Sequence, residues 1–231
     1  RHYKQEEFPG KMDHESAKEF ALRVLKRNIM RLDMLPGEAI SEKEIAKELD
    51  LSRTPVREAL LELSREHLVD IYPQKSTKVS LMDARIVEQG RFVRATVEVA
   101  ILEQACRQMD SEYFEELEEN LERQARCIEE NDLLKFFTFD NEFHQILFNA
   151  ASLDTVYEVL SIYVPHFSRE RMLRLQMFNA TELYHDHKTI LNALREKDCR
   201  NAQLTMRRHI DRVVCDQNIL KEAFPAYFTQ V

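Results

Sequence analysis

Four side chains able to hold a metal ion stand where this chain should be apolar. Between Leu133 and Ala151 the residues Leu133, Phe136/Phe137, Phe143 and Leu147/Phe148 recur at helical spacing, and Asp140 and His144 interrupt that stripe one turn apart. Further along, His187 falls on the stripe Leu183, Ile190/Leu191, Leu194, and His209 falls on Ala202, Met206, Val213. One carboxylate and three imidazoles on three inward faces suit a divalent transition metal such as Zn, Ni, Mn or Fe. Coordination would also offset the cost of burying an unpaired carboxylate. Taken singly, each His reads as a core residue with a local hydrogen bond, and Asp140 with His144 as an ordinary i, i+4 pair. Recurrence on separate helices is what favours the metal. His185, among polar Thr181, Glu182, Lys188, Thr189 and Asn192, is expected in solvent, and His166, beside Pro165, at the surface or in a loop.

The elements that must position these groups are helices. With only 3 Gly and no Trp, and long stretches rich in Glu, Leu, Arg and Ala, the chain reads as mainly α. Seven helices are expected after residue 82: Asp83 to Met109, Ser111 to Glu130, Asp132 to Ala151, Leu153 to Val164, His166 to about Phe178, Thr181 to Lys197, and Asp198 to about Ala223. Asp83, Ser111, Asp132, Thr181 and Asp198 supply caps at five starts. No strand is predicted there, so residues 82–231 are expected to form an all-helical bundle.

Upstream the pattern changes. Residues 1–15 lack periodicity and read as a tail, and Phe20, Val24, Leu25, Ile29 and Leu32 mark a helix from Ser16. Ser41 with Glu44 is a capping-box pair opening a short helix to about Leu49, and Ser52 can cap a second from Arg53 to about His67, with Pro55 tolerated in its first turn. Two short helices across a tight turn make a helix-turn-helix. Leu68–Tyr72 and Thr77–Ser80 then predict two short strands around a turn, giving a winged helix-turn-helix over residues 16–81. Arg53, Thr54 and Arg57 lie at the exposed start of the second helix, where such a helix meets base edges and phosphates.

Composition narrows the remaining possibilities. The 231 residues, 44% hydrophobic, suffice for two small cores. No run approaches a membrane-spanning length and no signal-peptide core is present, which points to a cytoplasmic protein. The net charge of −8 falls entirely after residue 80, which argues against non-specific coating of nucleic acid but not against a local reader. Cys106, Cys127, Cys199 and Cys215 show no CxxC pairing and read as reduced thiols. There is no HExxH, no Gly-rich phosphate loop and no nucleophile with a paired base, so little supports a metal-dependent enzyme fused to a DNA-binding module.

Leu35-Pro36-Gly37-Glu38, Glu42, Ile45-Ala46, Leu49 and above all Leu51-Ser52-Arg53-Thr54-Pro55-Val56-Arg57-Glu58-Ala59-Leu60 resemble the DNA-binding domain of the GntR family of bacterial transcriptional regulators. The resemblance implies DNA contacts by Lys43, Arg53, Thr54 and Arg57, with Gln74 and Lys75 at a wing tip entering the minor groove. His67 and Ser76 stand where the family usually has glycine. Asp140-Asn141-Glu142-Phe143-His144, Asp186-His187 and Met206-Arg207-Arg208-His209-Ile210 resemble the metal-binding pattern of the FCD effector domain of the FadR subfamily. That resemblance implies a homodimeric, ligand-responsive regulator, commonly a repressor, that reads a pseudo-palindromic operator. Its metal would help hold a small carboxylate effector, with four protein ligands leaving octahedral positions open. Arg91 and Arg94 are then candidates to bond the effector, although Arg94 is also spaced to pair with Glu98 on the helix surface. A direct metal sensor is the alternative.

Overall fold

The computed structural model describes residues 10–230 and contains two compact units: the residues up to Ile86 together with those from Ile219, and Val87–Asn218. In the first unit, helix α1 (Ala17–Met30) starts at a full capping box between Ser16 and Glu19 and buries Val24, Leu25 and Ile29. Just before it, the Arg23 Nε donates to Glu15 at 2.7 Å. Positions 1–9 of the expected tail lie outside the described residues.

Helices α2 (Glu42–Glu48) and α3 (Arg53–Arg65) form the predicted pair. Ser41 Oγ accepts from Glu44 N at 3.3 Å, which is the first half of the expected capping box. Ser52 occupies the cap position of α3 with extended backbone, yet its hydroxyl makes no cap bond, contrary to the sequence expectation. The core of this unit gathers Leu25, Ile29, Ile45, Val56, Leu60, Leu63 and Leu68. Each such burial is worth about 1.5–3 kcal/mol.

The wing has one strand more than predicted. Strand β1 (Ala39–Ile40) pairs antiparallel with β3 (Ser76–Val79), which also pairs antiparallel with β2 (Val69–Tyr72), giving the order β1-β3-β2. Two residues are too short a run for alternation to reveal. His67 takes the left-handed conformation that the usual glycine would (φ 59°), so the amides of His67 and Leu68 can bond back to Ser64 and Leu63 and end α3. At the wing turn the left-handed residue is Gln74 (φ 59°), while Ser76 is an ordinary strand residue opposite Tyr72.

The bundle helices are α4 (Ala84–Gln108), α5 (Ser111–Glu129), α6 (Leu133–Ala150), α7 (Asp154–Tyr163), α8 (Pro165–Met177), α9 (Thr181–Arg195), α10 (Cys199–Cys215) and α11 (Gln217–Ala223). The single last helix of the sequence reading is therefore two, with Asp216 at the break. Residues from Ile219 group with the first unit instead of closing the second: Met82 N donates to Tyr227 O at 2.8 Å and Thr229 N to Met82 O at 3.0 Å, satisfying backbone groups that periodicity does not register.

Within the second unit α5 packs on α6 and α9 on α10. Helix α4 approaches α8 at Gly90, where an added Cβ would stand 3.0 Å from Phe167 Cβ. Helix α8 is buried nearly all round, so His166 is a core residue and not the surface or loop residue expected. Cys106, at the end of α4, is disulfide-bonded to Cys199, at the start of α10, correcting the reading of four reduced thiols; Cys127 and Cys215 are free. A sequence separation of 93 residues hid that pair.

Candidate metal centre

Asp140 and His144 project from one face of α6, His187 from α9 and His209 from α10, and all four are buried. One ligand atom from each lies within 4.8 Å of the others. His209 Nε2 is 3.2 Å from His144 Nε2 and 3.3 Å from His187 Nε2, and His187 Nε2 is 3.5 Å from Asp140 Oδ1. Nitrogens about 2.0–2.1 Å from a common ion would stand roughly 2.8–3.0 Å apart at neighbouring octahedral positions and roughly 3.3–3.4 Å apart in tetrahedral geometry. The spacing therefore fits one ion.

The far side of each ring explains its orientation. His144 Nδ1 meets the Glu98 carboxylate of α4, and His187 Nδ1 lies 2.9 Å from Gln124 Oε1 of α5. Gln124 donates its amide to Asn120 Oδ1 (2.7 Å), so its oxygen is left to accept the His187 proton. His187 also stacks on Phe143 with ring centroids 4.1 Å apart. His209 Nδ1 is 3.7 Å from Asp186 Oδ2, too far for a good hydrogen bond, so Asp186 acts through its charge. With Nδ1 of His144 and His187 protonated toward their acceptors, both Nε2 lone pairs face His209, which has one Nε2 proton at most. At least one lone pair then lacks a proton donor within the cluster, and a cation there would resolve it.

Burial keeps these imidazoles neutral, the form that ligates. It lowers His209 to about 4 against the opposing pull of Asp186, and it lowers His144 and, further, His187, which the neighbouring His209 and His144 depress as well. Burial alone would raise the Glu98 carboxyl, but the Arg94 guanidinium and His144 hold it well below the usual carboxylate range.

Beside the centre is a cavity of ≈ 20 Å³ whose polar lining is Arg94, Asp140, Arg171, Arg174 and His209. Arg94 reaches it as predicted, but the Arg94–Glu98 pair is buried and not a surface pair. Arg91 does not line it: its guanidinium is held by Glu88 and Asp211, each at 2.5 Å. Arg171 donates to Asp140 and, at 2.9 Å, to Asn141 Oδ1. Sequence reasoning missed Arg171 and Arg174, as it missed Glu98 and Gln124 as ring partners. A charged helix without an apolar stripe, as α8 is, was the available signal.

The six candidate DNA contacts lie in the first unit and are all exposed. Arg53, Thr54 and Arg57 occupy the first turns of α3, Lys43 lies on α2, and Gln74 and Lys75 form the wing turn. Arg53 is only loosely paired, 3.5 Å from Glu42 in solvent.

Comparison with known proteins agrees with both halves. Residues 18–79 match the model for bacterial regulatory proteins of the gntR family, and residues 91–212 match the FCD domain. An uncharacterized HTH-type transcriptional regulator in an unstable DNA locus of Streptomyces ambofaciens is 33% identical, with 88% of this chain and 86% of that protein covered. The HTH-type transcriptional repressor RspR of Escherichia coli (strain K12) is 30% identical, with 83% and 84% covered. The structure of E. coli McbR/YncC shares the fold, with a TM-score of 0.77 at 20% identity, covering 90% of this chain and 99% of that one. These families and relatives are regulators and not enzymes, and the chain belongs to the GntR family of transcriptional regulators, in its FCD-containing branch.

Proposed function

We propose that this regulator is a cytoplasmic homodimer whose two winged domains read a pseudo-palindromic operator and whose bundle responds to a small carboxylate held at a metal. The observation that carries the reading is the convergence of three imidazole Nε2 atoms and the Asp140 carboxylate, with the outer nitrogens of His144 and His187 engaged elsewhere. Asp140, His144, His187 and His209 would hold a divalent Zn, Ni, Mn or Fe ion, which when bound supplies open coordination positions for an acid. Glu98 and Gln124 orient the rings of His144 and His187, the Asp186 carboxylate faces the outer nitrogen of His209, and Phe143 stacks on His187. Arg94, beside the centre, favours an anionic ligand. Ligand binding then biases one packing of the bundle over another and with it the operator affinity set by Lys43, Arg53, Thr54, Arg57, Gln74 and Lys75. Likeness to RspR, named as a repressor, supports repression as the sign of control.

Elemental analysis of gently purified protein tests the centre. About one equivalent of metal per chain, lost in the His187→Ala/His209→Ala double mutant, is expected. No metal in either protein, even after loading with Zn, Ni or Mn, would sink the coordination reading. Operator binding that differs between metal-free and metal-loaded protein with no acid present would make the metal itself the signal.

A further inference from the structure

The small cavity beside the metal centre and a larger groove outside it share one charged wall. The cavity, at ≈ 20 Å³, has room for about one water molecule and none for an organic acid. The groove, lined by Arg174, Phe178, Glu182, Leu204, Arg212 and Asp216 among others, encloses ≈ 650 Å³, which is ample for one. Among the described residues, Arg174 alone lines both. Its side chain is 95% buried, and its Nε donates to Asp216 Oδ2 at 2.6 Å, at the break between α10 and α11. Its Nη2 stands 3.7 Å from the exposed Glu182 carboxylate. Its Nη1 is buried with no hydrogen-bond partner among the described residues, a costly state for a guanidinium nitrogen unless a further acceptor is meant to meet it.

Charge says what that acceptor is. The three arginines of the cavity wall are each matched by an acid: Arg94 by Glu98, Arg171 by Asp140 and Arg174 by Asp216. Outside this set, Asp186 and Glu182 are matched by Arg208 and Arg212. With the imidazoles neutral, a divalent ion on the four ligands would leave two positive charges uncompensated. A dianion balances them; a monocarboxylate does not.

We infer that the ligand of this centre is a small dianion, one acid group of which is directed to the metal while the second is bound by Arg174, and that Arg174 gates the passage between groove and cavity. This rests on the metal reading given above. In the closed arrangement Arg174 is tied to Asp216. An entering diacid competes with Asp216 for the guanidinium, whose free Nη1 offers it a first hydrogen bond, and the cavity opens as Arg174 turns to the ligand. A ligand lacking the second acid group leaves Arg174 with Asp216 and binds weakly.

The test uses the full chain loaded with zinc, with zinc content measured for every variant. Malonate, succinate and glutarate are each titrated calorimetrically beside their monoamides malonamate, succinamate and glutaramate, so that one charge is removed at nearly constant size. At least one diacid should bind roughly ten- to hundredfold more tightly than its monoamide, as expected for a charge-assisted pair. Arg174→Gln should abolish that preference with zinc content unchanged, and Arg174→Lys should restore part of it. Asp216→Asn, which releases Arg174 without altering the cavity, should tighten diacid binding. Absence of any diacid preference in the zinc-loaded wild type overturns the inference, as does a preference that survives in Arg174→Gln or an Asp216→Asn variant that binds diacids no better. Failure of the wild type to retain zinc is a separate result, visible in the metal analysis, and removes the metal reading and this inference together.

Discussion

The Nδ1 of His144 is bound to the carboxylate of Glu98, 46 residues earlier in the chain and on a different helix. The carboxylate therefore sets both the tautomer and the tilt of an imidazole whose other nitrogen faces His209 at 3.2 Å. Both side chains are fully buried, and Arg94 completes the row. Glu98→Gln should lower metal affinity roughly 10–100-fold. Competition with a chromogenic chelator checks this, with circular dichroism confirming that the bundle persists; unchanged affinity would show that Glu98 serves only Arg94.

The depressed imidazoles make metal-free protein sensitive to acid. His209 is held at about 4 in the fold against an ordinary value near 6.5, so between these limits the unfolded chain binds the proton and the folded chain does not. Stability is accordingly level above about pH 6.5 and falls as pH drops toward 4, by roughly 1–3 kcal/mol. His144 and His187 act in the same direction. Urea midpoints of chelator-treated protein at pH 7.5, 6 and 5 should decline in that order, and equal midpoints would contradict it.

The candidate DNA contacts and the candidate metal ligands lie in separate units, so operator binding and metal content should separate by mutation. Arg53→Ala or Arg57→Ala is expected to cost about 1–3 kcal/mol of specific DNA binding. Lys75→Ala should weaken binding across sequences and flatten its salt dependence. Metal content should stay at the wild-type level in all three. Fluorescence anisotropy at two salt concentrations, beside elemental analysis, measures both; joint loss in well-folded variants would refute the separation.

The Cys106–Cys199 bond joins α4 to α10 and so braces the helices that carry Glu98 and His209. Closing a loop of this length restricts the unfolded chain by about 2–5 kcal/mol. Dithiothreitol should lower the melting temperature of the wild type by roughly 5 °C or more. It should leave the already lowered value of Cys199→Ser unchanged. A reductant-insensitive wild type would show that the bond contributes nothing to stability.

By itself the sequence determined the local features: all helix spans but the last, the helix-turn-helix with two strands of its wing, and the inward faces carrying Asp140, His144, His187 and His209. These are legible because helical and strand periods, caps and turn residues act over a few neighbouring positions. Only the tertiary structure decided what each inward face meets. Periodicity says that His187 points inward, not that Gln124 waits 63 residues away to accept its proton. It is silent on α8, because a helix buried on every side has no stripe, and so the sequence puts His166 at the surface or in a loop and leaves Arg171 and Arg174 unread. The pairing of Cys106 with Cys199 and the return of the Tyr227–Thr229 backbone to Met82 are long-range as well. Such contacts depend on how helices pack, and packing joins side chains that no local spacing relates.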